Sequence, residues 1–141
     1  MIRMKRALRE RIDTELEQMY PEEGGGFLLG VHDGAELIVY DVHPVRNVAR
    51  SEDRSHRYSM TPADWMALED DAEERGLTLL GYFHSHPDAP AVPSDFDREH
   101  ALPYFRYLIV SVQARAAVEW RVWLLSPGRD RFEEEAFHVD G

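Results

Sequence analysis

The segment LTLLGYFHSHPDAPAVPSDFDREH, residues 77–100, is the stretch from which the fold is predicted. Its first part, Leu77 to Phe83, carries little polar content and is typical of a buried strand. The three prolines that follow indicate a loop, and a short helix is predicted from Asp95 to about Leu102. Tyr107–Gln113 is predicted as the next strand. A strand, a loop with a helix and a second strand in succession indicate an α/β unit.

Elements on both sides of this segment extend the same pattern. The other predicted elements are a helix at 2–19, strands at 24–31 and 35–45, a helix at 62–75, and strands at 118–125 and 132–139. Apolar residues recur at helical spacing from Met4 to Met19, and Thr61 and Pro62 are typical of an N-cap and a first helical residue. The sequence therefore predicts one α/β domain over residues 1–141, with a mixed central sheet flanked by helices.

Composition limits the class of protein. The chain has 141 residues, 27 acidic and 16 basic side chains, a net charge of −11 and no cysteine. The lack of cysteine excludes disulfide scaffolds, thiol nucleophiles and cysteine-ligated metals, so that a metal would need His, Asp, Glu or backbone oxygen. The negative charge argues against nucleic acid as a partner. No signal peptide or membrane-spanning segment is visible, so we expect a cytoplasmic protein, whose oligomeric state stays open.

Two histidines and an aspartate of the central segment form a candidate metal site. His84 and His86 are two residues apart on a strand, so their side chains are expected on one face, and Asp97 follows across the proline-restricted loop. Two imidazoles and one carboxylate suffice to bind Zn²⁺ with water in the fourth position, which is the catalytic arrangement. Ser85 is expected to point to the opposite face as a structural hydroxyl.

Each of these motifs also has an ordinary structural interpretation. Two histidines on a strand are usually a simple polar pair, and Ser94 with Asp97 is also a capping box at the start of a helix. A zinc hydrolase further needs a base that is not a ligand. Glu22 and Glu23 are candidates if the strand that follows them lies near His84, and otherwise they are exposed turn acids.

Several other polar residues are weaker candidates. His43 and His56 are more simply explained as solvated loop histidines. His100 follows Asp97 by one helical turn and ranks below the two strand histidines, either as a ligand or as a partner of one. Asn47 is a candidate for holding a substrate backbone, and the polar segment 46–60 is predicted to be a long loop that contacts substrate.

Together, the motifs resemble those of the JAMM (MPN+) family of zinc metalloproteases. They read Glu23-Gly24-Gly25-Gly26-Phe27-Leu28-Leu29-Gly30, His84-Ser85-His86-Pro87 and Ser94-Asp95-Phe96-Asp97. The resemblance covers most of the chain, because the order of helices and strands also fits, and the spacing of the second and third motifs is specific. It implies an MPN-type fold with an architecture like that of cytidine deaminases. Gly25 departs from the family pattern, which often has a bulkier residue or Cys there.

The resemblance implies a zinc-dependent peptidase or isopeptidase that cleaves after the C-terminal Gly-Gly of a ubiquitin-like protein. Small prokaryotic members of the family are associated with sulfur-carrier proteins, which the resemblance therefore implies as the partner class. By position, His84, His86 and Asp97 would bind Zn²⁺, Glu23 would be the general acid/base and Ser94 would help to hold the oxyanion. The alternative is a non-catalytic MPN-type scaffold, which the presence of every ligand disfavours. A DNA-linked branch of the superfamily is disfavoured by the negative charge.

Overall fold

The computed structural model describes residues 1–45, 62–128 and 130–141, without the side chains of Pro62, Asp64 and His100. Its elements in chain order are β1 (Ile2–Lys5), α1 (Arg6–Met19), β2 (Gly25–Asp33), β3 (Glu36–Val45), α2 (Pro62–Glu74), β4 (Thr78–Pro87), α3 (Asp95–His100), β5 (Arg106–Gln113), β6 (Ala116–Leu125), β7 (Phe132–Glu135) and β8 (Phe137–Asp140). The predicted loop at 46–60, with Asn47 and His56, and the N-cap Thr61 lie outside the described residues.

The strands form one mixed sheet in the order β7-β6-β5-β4-β2-β3-β1-β8. β4 lies near its middle, antiparallel to β2 and parallel to β5. The β4–β5 connection carries α3, as parallel neighbours require a crossover. The predicted α/β architecture with a mixed sheet flanked by helices is confirmed.

Strand alternation gives the sheet two buried faces, which we call the α1 face and the α3 face. The α1 face includes Leu28, Phe83, Leu108, Val110, Trp120 and Val122, together with Ile12 and Leu16 of α1. The α3 face includes Phe27, Tyr82, Tyr107, Ile109 and Trp123, together with Leu68 and Ala72 of α2. The side chains of β4 therefore alternate between the two faces, with Tyr82 on one and Phe83 on the other.

The first residues differ from the prediction of a helix at 2–19, because Ile2–Lys5 is a strand and the helix begins at Arg6. Ile2 and Met4 are 1% and 2% exposed, and both point into the α1 face. β1 pairs in parallel with β3 and with β8. These pairings join β1 to strands far along the chain, and they override the local helical spacing.

The predicted strand at 132–139 is divided at Ala136 between the two edges of the sheet. β7 pairs with β6 at one edge, and β8 pairs with β1 at the other. Consecutive Cα atoms are about 3.8 Å apart, so Glu135 and Phe137 lie close together and the two edges must approach each other there. The sheet is therefore rolled, and the Met1 amino group lies 3.7 Å from the Glu135 carboxylate.

Two arginines near the start of the chain form ion pairs within the fold. Arg3 lies near the carboxylates of Glu36 and Asp140, and Arg11 forms a 2.9 Å ion pair with Asp41 of β3. In the part of the chain that the structure describes, no helix combines the length and the apolar character needed to cross a membrane.

Candidate metal centre

His84, His86 and Asp97 converge at the carboxyl end of β4. His84 Nε2 lies 3.3 Å from His86 Nε2 and 3.5 Å from Asp97 Oδ1, and His86 Nε2 lies 3.3 Å from Asp97 Oδ2. One ligand atom from each residue falls within 4.8 Å of the others. His84 and Asp97 are buried and His86 is 11% exposed. Two imidazole nitrogens and a carboxylate brought together in this way are a donor set that fits a single metal ion.

The histidines owe their common orientation to the length of β4. β4 continues past Phe83 to Pro87, so His84 and His86 both lie within the strand, as expected for them, and project to the α3 face. His86 Nδ1 lies 2.9 Å from the Pro90 carbonyl oxygen. A carbonyl only accepts, so Nδ1 carries the proton and Nε2 keeps its lone pair for a metal.

Asp97 is held by the start of α3. Ser94 is the N-cap: its hydroxyl oxygen accepts a hydrogen bond from Asp97 N, and Asp97 Oδ2 accepts one from Ser94 N. The capping interpretation of these two residues is therefore confirmed. It does not compete with metal binding, because the same box directs the buried carboxylate toward both histidines.

The residue between the ligands ties β4 to the start of β2. Gly24 N donates to Ser85 Oγ at 2.9 Å, and Ser85 N donates to Gly24 O at 3.0 Å. Gly25 is paired with His84. Ser85 thus has the structural role predicted for it, on the face opposite the ligands.

This pairing also decides where Glu23 lies. Continuing the register past Gly25 and Gly24 places Glu23 opposite His86 and, by alternation, on the face of the ligands. Glu22 lies in the turn after α1, where its amide donates to Met19 O, and both glutamates are half-buried. The segment that carries Glu23 therefore lies beside the two candidate histidines, a position compatible with the role of a general base.

The glycine that departs from the family pattern fits its surroundings closely. A Cβ at Gly25 would lie 2.7 Å from both the Phe83 carbonyl oxygen and the Tyr82 hydroxyl oxygen. Tyr82 is buried on the α3 face, two residues before His84. Its hydroxyl fills the space that a side chain at position 25 would occupy.

Of the remaining candidate histidines, the structure describes the side chain of His43. His43 is an exposed residue of β3, opposite Phe27. The side chain of His100 and all of His56 lie outside the description. In the residues that the structure describes, the three-ligand group is the one cluster of His, Asp and Glu able to hold a metal.

Sequence reasoning missed a contact that links the segment before Glu23 to the loop that follows β4. Tyr20 Oη donates to Asp88 Oδ2 at 2.6 Å, and Asp88 Oδ1 accepts from Ala114 N at 3.1 Å. The hydrogen bond to Asp88 raises the pKa of Tyr20. These residues lie on separate elements, and nothing in their local sequence marks them as partners.

Comparison with known proteins gives matches over most of the chain. Residues 5–126 match the family described as prokaryotic homologs of the JAB domain. The chain is 38% identical over 102 residues to a desampylase of Haloferax volcanii, an alignment that covers 71% of this chain and 70% of the relative. It is 29% identical over 126 residues to a probable TtuB-protein conjugate cleaving protease of Thermus thermophilus, covering 89% and 76%.

A solved structure described as "JAMM: a metalloprotease-like zinc site in the proteasome and signalosome" has the same fold. The two superpose with a TM-score of 0.59 over 100% of this chain and 99% of the other. Their sequences are 16% identical. This likeness concerns the fold, and it agrees with the mixed sheet described above.

Proposed function

The chain belongs to the prokaryotic JAB family of JAMM-type domains, and from this premise we propose that it is a Zn²⁺-dependent peptidase or isopeptidase. The resemblance based on its motifs is confirmed at the level of the family. The proposed reaction is cleavage after the C-terminal Gly-Gly of a ubiquitin-like or sulfur-carrier protein. The observation that carries the proposal is the convergence of His84, His86 and Asp97 within 4.8 Å. The names of the desampylase and of the TtuB-conjugate protease support the substrate class.

His84, His86 and Asp97 are the residues that would hold the metal, and their donor atoms suit Zn²⁺. Three protein ligands leave one position open, which is typical of catalytic rather than structural zinc. When bound, the ion would polarise the scissile carbonyl and lower the pKa of its water to about 7. The zinc site named for the structural relative supports this choice of metal.

Glu23 is the residue we assign as general acid/base. Its carboxylate would take the proton of the attacking water and deliver it to the amine that leaves. Its position opposite His86, one residue before the Gly24–Ser85 hydrogen bonds, supports this role over that of Glu22.

Ser94 is assigned the stabilisation of the oxyanion. Its hydroxyl oxygen accepts the Asp97 amide hydrogen, which leaves the hydroxyl hydrogen available to donate. Donors placed where negative charge develops give large rate effects in acyl transfer. Ser94 would then combine a cap for α3 with a contact to the reacting carbonyl.

The test is the substitution Glu23→Gln in the zinc-loaded protein, with a sulfur-carrier protein extended beyond Gly-Gly as substrate. We expect kcat to fall by about 10²–10⁴, the usual contribution of a general acid/base. Metal analysis should still find one zinc per chain, because Glu23 is not a ligand. Glu22→Gln, which removes the adjacent carboxylate in the turn after α1, is the matched control and should keep its activity. A wild type that binds no zinc, or a fully active Glu23→Gln variant, would contradict the proposal.

A further inference from the structure

Three successive carbonyl groups of the loop between β4 and α3 are held by side chains from three neighbouring strands. Ser111 Oγ of β5 donates to Ala89 O at 2.6 Å. His86 Nδ1 of β4 meets Pro90 O at 2.9 Å. Trp123 Nε1 of β6 donates to Ala91 O at 3.0 Å in a buried hydrogen bond. The loop is thus fastened on both sides of the carbonyl that contacts a metal ligand.

The geometry of Ser111 gives its hydrogen bond a fixed direction. Ser111 is 1% exposed, and it is paired with His86 across the β4–β5 ladder. Its hydroxyl oxygen accepts from Gln113 Nε2 at 3.2 Å, so its hydrogen is directed to Ala89 O. Trp123, which donates to the carbonyl on the other side of Pro90, is 9% exposed, and Ala91 is completely buried.

The hydrogen bonds from Ser111 and Trp123 to the loop affect two of the three proposed ligands, His86 and Asp97. The Pro90 carbonyl sets which nitrogen of His86 carries the proton, and only the Nδ1–H form leaves Nε2 as a donor to metal. The loop then leads from Ala91 to the capping box of Ser94 and Asp97. A shift of the loop would therefore move the acceptor of one ligand and the helix that carries another.

We propose that Ser111 and Trp123 are positioning residues of the metal centre, which fix the His86 tautomer and the placement of Asp97 through the loop carbonyls. The proposal rests on the proposed metal-dependent function. Partners of ligand histidines commonly contribute 10–100-fold to metal affinity. Ser111 and Trp123 act indirectly, because they hold the loop whose Pro90 carbonyl is the hydrogen-bond partner of His86.

The first experiment compares Trp123→Phe with Trp120→Phe. Both indoles lie on β6 and are nearly buried, and each donates one hydrogen bond, but Trp120 donates to Asp13 of α1 at 2.7 Å. Zn²⁺ affinity is measured by competition with a chromogenic chelator. We expect Trp123→Phe to weaken zinc binding by about tenfold, the lower end of the range for partners of ligands, and Trp120→Phe to leave it unchanged.

The second experiment covers the case in which Trp123→Phe fails to fold. Ser111→Ala removes only a hydroxyl group, and Ser126→Ala is its control, since Ser126 is also buried but donates to Asp130. Long-range ¹H–¹⁵N spectra of the metal-free protein report which His86 nitrogen is protonated. We expect the Nδ1–H form in the wild type and a mixture of the two forms in Ser111→Ala.

The outcomes separate this inference from the proposed function. Unchanged zinc affinity and an unchanged tautomer in Ser111→Ala would overturn it, as would equal losses of affinity in the matched controls. A wild type without zinc affinity would remove the proposed function, while the spectra of the metal-free protein would still show whether Ser111 sets the His86 tautomer.

Discussion

Helices α1 and α3 lie on opposite faces of the sheet and are held there by different forces. α1 has fourteen residues and buries Ile12 and Leu16 completely among apolar side chains. α3 has six residues and is fixed by its capping box and by the buried Asp97 beside two histidines. Apolar contacts are numerous and interchangeable, whereas each polar contact depends on direction. Helix α1 therefore contributes mainly stability on its face of the sheet, and helix α3 contributes the placement of Asp97 on the other face.

We expect Leu16→Ala to cause the largest loss of stability among these substitutions. Leu16 is completely buried on the α1 face, so its truncation should cost about 2–5 kcal/mol in the free energy of unfolding. Urea unfolding of the metal-free protein measures the loss, and Leu8→Ala, at a partly buried position of the same helix, should lose less. Zinc affinity of the folded variant should stay at the wild-type value. A loss of affinity as large as that of Trp123→Phe would abolish the distinction between the faces.

Ser94→Ala tests the α3 face, where a smaller loss of stability should accompany a larger loss of function. Removal of the N-cap should cost about 0.5–2 kcal/mol. If Ser94 also holds the oxyanion, kcat should fall by about 10²–10³. Ser94→Gly separates the two effects, because glycine restores most of the N-cap preference but has no hydroxyl. A fully active Ser94→Gly variant would leave Ser94 with the capping role alone.

Asp41→Asn should change the free energy of unfolding least of the three substitutions, since it removes a polar contact away from the candidate metal centre. Burial disfavours ionisation of Asp41, but hydrogen bonds from Arg75 and the Val42 amide, with the charge of Arg11, hold its pKa below the ordinary value of 3.8. Because the pKa of Asp41 is lower in the folded than in the unfolded protein, its ionised form stabilises the fold at pH values above 3.8. This contribution to stability is lost as the pH falls through the folded-state pKa. The ion pairs are partly exposed, so the loss near pH 7 should be no more than about 1 kcal/mol.

The stability difference between the wild type and Asp41→Asn should depend on pH, and this dependence tests the role of the Asp41 charge. Chemical denaturation of the wild type and of Asp41→Asn should differ near neutral pH. The difference should vanish well below pH 3.8, where Asp41 itself is protonated. A difference that persists in acid would mean that the substitution destabilises the fold for reasons other than the lost charge.

The convergence of the three candidate ligands was predictable because they lie within one strand–loop–helix segment. The spacing of His84 and His86 fixes a common face for any strand, and the Ser94–Asp97 spacing fixes a capping box. Their anchors were not predictable in the same way. Ser111 and Trp123 reach the loop only through the register of β5 and β6, which local sequence does not specify.

The same limit explains the errors at the ends of the chain. Met4 continues the helical spacing of the apolar residues that follow it, whereas its period of two with Ile2 covers only two residues. Pairing with β3 and β8 decides in favour of a strand. The strand predicted at 132–139 has nearly the correct extent, but its division at Ala136 between opposite edges follows from the closure of the roll, a property of the whole sheet.

The pairing of Ile2 with Phe137 bears on the order in which the chain folds. It joins segments near opposite ends of the sequence, and the entropy lost in closing such a long loop makes contacts of this kind form slowly. The three candidate ligands and the β4–β5 ladder belong to a short continuous segment, and closing it costs much less entropy. We therefore expect the ligand group to assemble early, within a sheet that is still open, and the roll to close last.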